Sequence, residues 1–181
     1  TFAPSIQPVS RRDPTVRRIA RLWRDLTGGL DRGGDSRRRT LVACSGGADS
    51  SGLLVALAAA VSKPEALFVV AHVVHDLRSV AESLADRDAV RNLATGLGLG
   101  FAEARIRARP DGGNIEGSAR RLRYAALKRL AAEHGCGFIA TAHQADDQLE
   151  TVIMKLLRGA GPRGLAGVAS LRTLGKDGPT V

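Results

Sequence analysis

The amino-acid sequence predicts an α/β fold, a doubly wound parallel sheet with helices on both faces. After residue 39, short apolar runs alternate three times with helical patterns, which is typical of parallel strands joined by crossover helices. Aromatic residues make up only 3% of the 181 residues, and this composition suits helices packed closely on a sheet. A chain of this length buries one core of that kind, so we expect a single main domain.

The N-terminal segment is predicted to be an irregular lead-in followed by a basic helix. Residues 1–14 carry three Pro and show no periodicity. Apolar residues then recur at helical spacing with Arg residues between them, and Gly28 and Gly29 end the pattern. Because Trp23 falls on the apolar stripe, we expect it to pack in the core rather than stack on bases.

The main part of the chain is predicted to contain four strands and four helices. We expect strands at residues 40–44, 66–74, 101–106 and 137–141. We expect helices near residues 49–61, 80–97, 115–134 and 145–157. A Gly-rich tail follows, and the sequence divides into segments 1–36, 37–168 and 169–181, the last expected to be cut off before further domains.

Charge and apolar runs narrow the classes of function. The net charge is +9, of which residues 1–40 carry +6 and residues 41–181 carry +3. A basic excess of this kind fits a polyanion such as RNA, although Arg-rich surfaces also serve solubility. The longest apolar runs, residues 53–61 and 66–71, are far shorter than the roughly 20 residues of a membrane helix. We therefore expect a soluble protein without a membrane partner.

The two cysteines are predicted to be structural. Cys44 and Cys136 lie far apart in apolar stretches, and neither forms a Cys-x-x-Cys pair. A disulfide framework, a zinc site or an iron–sulfur site is therefore not expected, and a reducing cytoplasm fits.

A phosphate-binding loop is predicted where the first strand passes into a helix. Its residues are Ser45-Gly46-Gly47-Ala48-Asp49-Ser50. Free N–H groups and the positive end of the helix favour an anion, and the glycines allow close approach of the backbone. The loop has no lysine, and Asp49 beside phosphates implies an intervening Mg²⁺. The alternative interpretation is a Gly-rich turn in which Asp49 and Ser50 cap the helix.

A second polar cluster, residues 141–151, ends one predicted strand and opens the next helix. The carboxyl ends of strands line the ligand crevice of such a sheet, so the cluster is expected to face the phosphate loop. Asp147, Glu150 and Arg158 follow helical spacing and share a face. Paired acids suit Mg²⁺ or proton transfer, and the Arg suits phosphate. Acids in a first turn also complement a helix dipole, so capping is the alternative interpretation.

The loop resembles the Ser-Gly-Gly-x-Asp-Ser signature of the pyrophosphate-loop ATPases, a superfamily with Rossmann-like sheets of the adenine nucleotide alpha hydrolase type. Four further stretches resemble one branch of it, the tRNA(Ile)-lysidine synthetases. These stretches are residues 72–78 (HVVHDLR), 114–124 (NIEGSARRLRY), 143–151 (HQADDQLET) and 158–165 (RGAGPRGL). The resemblance covers about residues 37–168, which it identifies as an ATP-binding catalytic domain.

The resemblance implies an ATP-dependent ligase that attaches free L-lysine to C2 of the wobble cytidine, position 34, of tRNA(Ile) with a CAU anticodon. Lysidine would form through an adenylated tRNA intermediate, with release of pyrophosphate and AMP. The sequence does not predict the oligomeric state.

The resemblance also implies roles for individual residues. Residues 45–50 would bind ATP, Val73 would meet adenine through its backbone, and His143 and Arg158 would also contact the nucleotide. Asp49 and Asp147 would hold Mg²⁺. Glu150 would order the site or assist proton transfer. Arg120 is the strongest of the basic candidates for catalysis, and His75, Arg78 and Arg123 match positions near the substrates. A solvated helix face also explains the Arg residues of the helix predicted at residues 115–134.

Three other functions share the loop. A pyrophosphate-loop tRNA thiolase would adenylate a base and then deliver sulfur, but it would need cysteines that this chain lacks. A synthetase that amidates a small molecule would not account for residues 114–124 and 158–165. A nucleotide-binding module without catalysis would keep the loop and lose turnover.

Overall fold

A computed structural model of the chain describes residues 9–28, 38–75, 80–107 and 115–142. Within these ranges helices and strands alternate as the sequence predicts, except that a short helix at Pro64–Leu67 was not predicted. The elements are α1 (Pro14–Leu26), β1 (Thr40–Ala43), α2 (Ala48–Ala60), α3 (Pro64–Leu67), β2 (Phe68–His75), α4 (Val80–Gly96), β3 (Gly100–Ile106), α5 (Ile115–Glu133) and β4 (Phe138–Thr141). The predicted helix at residues 145–157 lies outside the described residues.

The four strands form one parallel sheet in the order β3-β2-β1-β4. The chain first moves outward from β1 to β2 and β3, and then returns to add β4 on the other side of β1. This reversal confirms the doubly wound topology and creates a crevice at the carboxyl ends of β1 and β4. Ala43 pairs with Thr141, so the two strands end at the same level.

Helices cover both faces of the sheet, as predicted. On one face, alternate strand residues such as Val42 and Val70 pack with buried residues of α1, α2 and α4. On the other, Leu41 and Val69 pack with buried residues of α5. Because side chains alternate along a strand and both faces are covered, the central strands are apolar except at Thr40, His72 and His75.

The basic helix α1 is part of the core. Asp13 caps it, with its Oδ1 accepting hydrogen bonds from the N–H groups of Thr15 and Val16, and Pro14 occupies its first turn. Trp23 is buried, its ring lies 5.1 Å from that of Phe68, and its Nε1 donates to Thr40 Oγ1 at 3.0 Å. The prediction that Trp23 packs in the core is therefore confirmed.

Several predicted boundaries differ from the structure by one or two residues. The largest difference is at the second strand, predicted from residue 66, where the chain instead forms the single turn α3 before β2 begins at Phe68. Pro64 favours the first position of a helical turn, and the continuous apolar run after it does not show where the turn ends. At the end of α1, Gly28 adopts a φ of 126°.

Among the described residues, no helix is long and apolar enough to cross a lipid bilayer.

Candidate active site

The predicted phosphate loop, residues 45–50, joins the carboxyl end of β1 to the first turn of α2. Residues 45–49 are exposed, whereas Ser50 is only 7% exposed. The loop therefore presents its backbone to the crevice while one end of it is fixed in the core.

The buried Ser50 hydroxyl holds the loop together. Its Oγ donates to the carbonyl oxygen of Gly47 at 3.1 Å and accepts from the N–H of Ser45 at 3.2 Å. The hydroxyl of Ser45 lies 3.1 Å from the same oxygen. Since the single hydrogen of Ser50 points to Gly47, Ser50 shapes the loop, and Ser45 is the exposed hydroxyl of the pair.

The two glycines have different conformations. Gly46 adopts a φ of 95°, a backbone conformation that residues other than Gly rarely adopt. Gly47 is the N-cap of α2 with a φ of −72°, an ordinary value. No side-chain hydrogen bond caps α2, so the alternative in which Asp49 and Ser50 cap the helix is not what the structure contains. The N–H groups of its first turn are directed to the crevice, where they favour an anion.

Among the described residues, Asp49 lies within this loop and Asp86 lies beside it. Asp49 is exposed in the first turn of α2, as predicted. Asp86 of α4 lies against Gly46: a Cβ placed on that glycine would be 3.6 Å from the Cβ of Asp86. The sequence analysis missed Asp86, because no motif marks it and 40 residues separate it from the loop.

His72 connects β2 to the residue that precedes the loop. It is 4% exposed, and its Nδ1 lies 2.9 Å from the carbonyl oxygen of Cys44. A carbonyl oxygen accepts only, so Nδ1 carries the proton. His72 stands first in a stretch that the sequence analysis singled out, although no role was predicted for it.

The carboxyl end of β2 extends past β1 and borders the crevice. The pairing of β1 with β2 ends at Ala71, whose carbonyl accepts from Cys44 N at 2.9 Å, whereas pairing with β3 continues to His75. Backbone groups of alternate residues point to the same side of a strand, so those of Val73 point beyond the last residue of β1. Within the described ranges, this is where the backbone of β2 faces the crevice instead of another strand.

The basic candidates on α5 form an exposed group around one aromatic ring. The guanidinium carbons of Arg120 and Arg123 lie 5.5 and 6.0 Å from the centre of the Tyr124 ring. Leu127, one turn later, is buried against the sheet. The first turns of α5 follow β3 and therefore lie towards the carboxyl edge of the sheet.

Several predicted site residues lie outside the described residues. These are Arg78, His143, Asp147, Glu150 and Arg158. Four of them follow Ala142 in the sequence, and Thr141 is paired with Ala43, two residues before the phosphate loop. In the part of the chain that is described, no group of three or more His, Cys, Asp or Glu side chains is arranged to hold a metal ion.

The curated proteins most useful for comparison are tRNA(Ile)-lysidine synthases. The chain is 46% identical over 134 residues to the one from Bordetella parapertussis, which covers 74% of this chain and 38% of that protein. It is 39% identical over 157 residues to the one from Rhodopirellula baltica, covering 76% of this chain and 39% of that protein. The chain thus spans about two fifths of the length of these relatives.

A solved structure supports the fold. The U34-tRNA thiolase NcsA from Methanococcus maripaludis superposes with a TM-score of 0.58 at 17% identity, covering 82% of this chain and 51% of that one. At this identity the likeness concerns the fold alone.

The family model described as the PP-loop domain matches residues 13–177, which include α1, the phosphate loop and all four strands. The chain therefore belongs to the PP-loop domain family.

Proposed function

We propose that this chain is the ATP-using catalytic part of a tRNA(Ile)-lysidine synthase. The observation that carries the proposal is the uncapped first turn of α2 behind the exposed loop at residues 45–49, in a chain 39–46% identical to enzymes of that name. The chain covers only 38–39% of the length of those relatives, so similarity alone does not assign their whole activity to it.

The proposed position of ATP follows from the shape of the crevice. Its phosphates lie on the N–H groups of the first turn of α2, and the exposed Ser45 hydroxyl becomes a further donor when it turns from Ser50 to the phosphates. Its adenine lies against the free backbone of Val73, where β2 extends past β1. Both contacts use the backbone, which recognises ATP without a loop lysine.

Mg²⁺ fits the proposed site through oxygen ligands. Asp49 offers an exposed carboxylate in the turn that would hold the phosphates, and carboxylate and phosphate oxygens are the ligands that Mg²⁺ prefers. Asp147 is the second proposed ligand, by the family resemblance. The bound ion would neutralise the phosphates beside Asp49 and stabilise the charge of departing pyrophosphate.

The proposed reaction has two steps. The C2 oxygen of the wobble cytidine attacks the α-phosphorus of ATP, and pyrophosphate leaves as the bond between the α-phosphorus and the bridging oxygen breaks. The ε-amine of free lysine then attacks C2, loses a proton and displaces AMP. Arg120, Arg123 and Glu150 are proposed to act in these steps, with His75, Arg78, His143 and Arg158 near the substrates.

The test is the incorporation of labelled lysine into tRNA. The purified chain is incubated with ATP, labelled L-lysine and tRNA(Ile) with cytidine at the wobble position. We expect label in the tRNA and pyrophosphate in equal amount. A chain that binds ATP but transfers no lysine would be a nucleotide-binding module. Transfer of sulfur in a parallel incubation, with a sulfide donor in place of lysine, would identify a thiolase.

Asp49→Asn is the diagnostic variant, and Asp88→Asn, an exposed carboxylate on α4 beside Arg87, is its matched control. Both substitutions remove one negative charge. We expect Asp49→Asn to abolish pyrophosphate release, because the phosphates lose a metal ligand, and Asp88→Asn to leave it unchanged. Normal pyrophosphate release by Asp49→Asn would contradict the role proposed for that carboxylate.

A further inference from the structure

A basic groove lies between α1 and the end of α2, away from the candidate active site. Its cavity volume is about 260 Å³, and four of the side chains that line it are Arg11, Arg17, Arg21 and Arg24. Ala60, at the end of α2, forms part of the opposite wall, and Asp25 is the acidic residue of the lining. We call this feature the α1 groove.

The Arg residues of the α1 groove are arranged by the helix. Arg17, Arg21 and Arg24 are spaced by four and three residues, so they form a row of about 10 Å along one face of α1. Arg17 and Arg21 are exposed and Arg24 is half-buried. In the described part of the chain, none of the three pairs with a carboxylate.

Two contacts keep the groove positive. Arg11 donates hydrogen bonds to the carbonyl oxygens of Ala59, at 3.0 Å, and Val61, so it neutralises the negative end of α2. The Asp13 carboxylate accepts from the first N–H groups of α1 and is therefore turned to the helix end. Asp25 alone opposes the Arg residues within the lining.

This arrangement suits a chain of phosphates better than a small anion. Arg guanidinium groups bind phosphate oxygens with two parallel hydrogen bonds, and a row of them matches a repeating charge. The row also lacks the enclosed, mostly apolar walls that are typical of sites for small molecules.

The position of the groove indicates a long partner. Ala48 begins α2 at the phosphate loop, and Ala60 ends α2 at the groove, so about 20 Å of helix separates the two places. A mononucleotide bound at the phosphate loop is too short to reach the α1 groove. A folded RNA stem and its terminal loop are long enough to contact both places.

We propose that the α1 groove binds the sugar–phosphate backbone of the tRNA while a nucleotide of the same tRNA reaches the phosphate loop. The proposal rests on the proposed function for the identity of the RNA. It adds a docking surface that acts by charge and is independent of base sequence.

The test is tRNA binding by Arg17→Glu/Arg21→Glu, measured over a range of salt concentrations. Its matched control is Lys128→Glu/Arg129→Glu, which changes the net charge equally on exposed positions of α5, on the opposite face of the sheet. The milder Arg17→Gln/Arg21→Gln covers the case in which the reversal perturbs folding. Circular dichroism and ATP binding report whether each variant keeps its fold.

We expect Arg17→Glu/Arg21→Glu to bind tRNA roughly tenfold or more weakly and to lower the slope of log affinity against log salt by about 1.4–1.8. The Gln variant should show a smaller loss, and the control should bind like the unaltered chain. ATP binding should be the same in all of them.

Three results would contradict the proposal that the α1 groove binds tRNA. They are unaltered tRNA affinity in the α1 variants, an equal loss of tRNA affinity in the α5 control, and no tRNA binding by the unaltered chain. Lysine incorporation tests the proposed function separately. If the chain binds tRNA through Arg17 and Arg21 but incorporates no lysine, the proposal for the α1 groove stands and the proposed lysidine synthase activity is rejected.

Discussion

The Nδ1 of His72 lies 2.9 Å from the carbonyl oxygen of Cys44, the residue between β1 and the phosphate loop. Both residues are buried, and 28 positions separate them in the sequence. The pairing of β1 with β2 ends at Ala43 and Ala71, so the imidazole extends the link between the two strands by a side chain. His72 thereby sets the direction in which the chain enters the loop.

Replacing His72 by Ala is expected to loosen the loop. The Cys44 carbonyl would be left buried without its donor, which costs about 1–3 kcal/mol of unfolding free energy. ATP binding should weaken as well, because residues 45–50 would enter the crevice less precisely. Chemical denaturation and ATP titration measure the two effects.

His72→Asn is the matched control, since the amide nitrogen of Asn occupies nearly the same place as Nδ1. We expect it to recover most of the ATP affinity and part of the stability. If Ala and Asn variants bind ATP equally well, the hydrogen bond to Cys44 has no part in shaping the loop.

Gly46 and Gly47 are expected to respond differently to Ala. Gly46→Ala forces a Cβ into a φ of 95°, so it should cost about 1–2 kcal/mol and weaken ATP binding. Gly47→Ala keeps an ordinary φ, and its Cβ would lie 3.6 Å from Ser45 Oγ, a normal contact. Gly47→Ala should lower the free energy of unfolding by less than about 1 kcal/mol. It should still weaken ATP binding, because the methyl group lies where the phosphates approach. Thermal unfolding with and without ATP would show the contrast, and equal destabilisation by both would contradict it.

Trp23 is expected to hold α1 on the sheet. Trp23→Ala should cost about 3–5 kcal/mol, because it removes a large buried ring packed on Phe68. Trp23→Phe keeps an aromatic ring but loses the buried hydrogen bond to Thr40 and part of the ring volume, so about 1–3 kcal/mol is expected. Leu22→Ala, at a position 56% exposed, should stay within about 0.5 kcal/mol. Denaturant titrations give the three values, and a small loss in Trp23→Ala would mean that α1 contributes little to the core.

Cys136 is expected to react slowly with thiol reagents in the folded chain. Burial raises the pKa of its thiol, and the guanidinium of Arg39 opposes that effect only in part. A raised pKa lowers the fraction of thiolate, the reactive form, at neutral pH. A colorimetric thiol reagent should therefore modify Cys136 much faster in denaturant than in buffer. Comparable rates in the two solutions would show that the thiol is not protected.

The helices and the two-faced sheet could be predicted from local patterns. The stripe that includes Trp23 identified α1, and the sequence at residues 45–50 identified the loop. The boundary between α3 and β2 could not be placed, because the continuous apolar run from residue 66 carries no period, and only Pro64 indicates a turn.

The contacts that shape the site could not be predicted, because they join distant residues. The bond from His72 to Cys44 depends on the pairing of β1 with β2, and the approach of Asp86 to Gly46 depends on how α4 packs on that face. Ser50 shows the same limit in another form. Its type suggests a phosphate donor, but its burial turns its hydroxyl to Gly47.

The division of the core between the two faces has a consequence for the order of folding during synthesis. The buried residues of the cluster under α1, α2 and α4 all lie between Trp23 and Leu99, whereas the cluster under α5 extends to Ile139. Since a chain emerges from the ribosome with its N-terminal part first, the former face can close before β4 exists. Of the strands that the structure describes, Phe138–Thr141 is synthesised last and completes the second wall of the crevice. The nascent chain therefore acquires a core well before it acquires a place for its nucleotide.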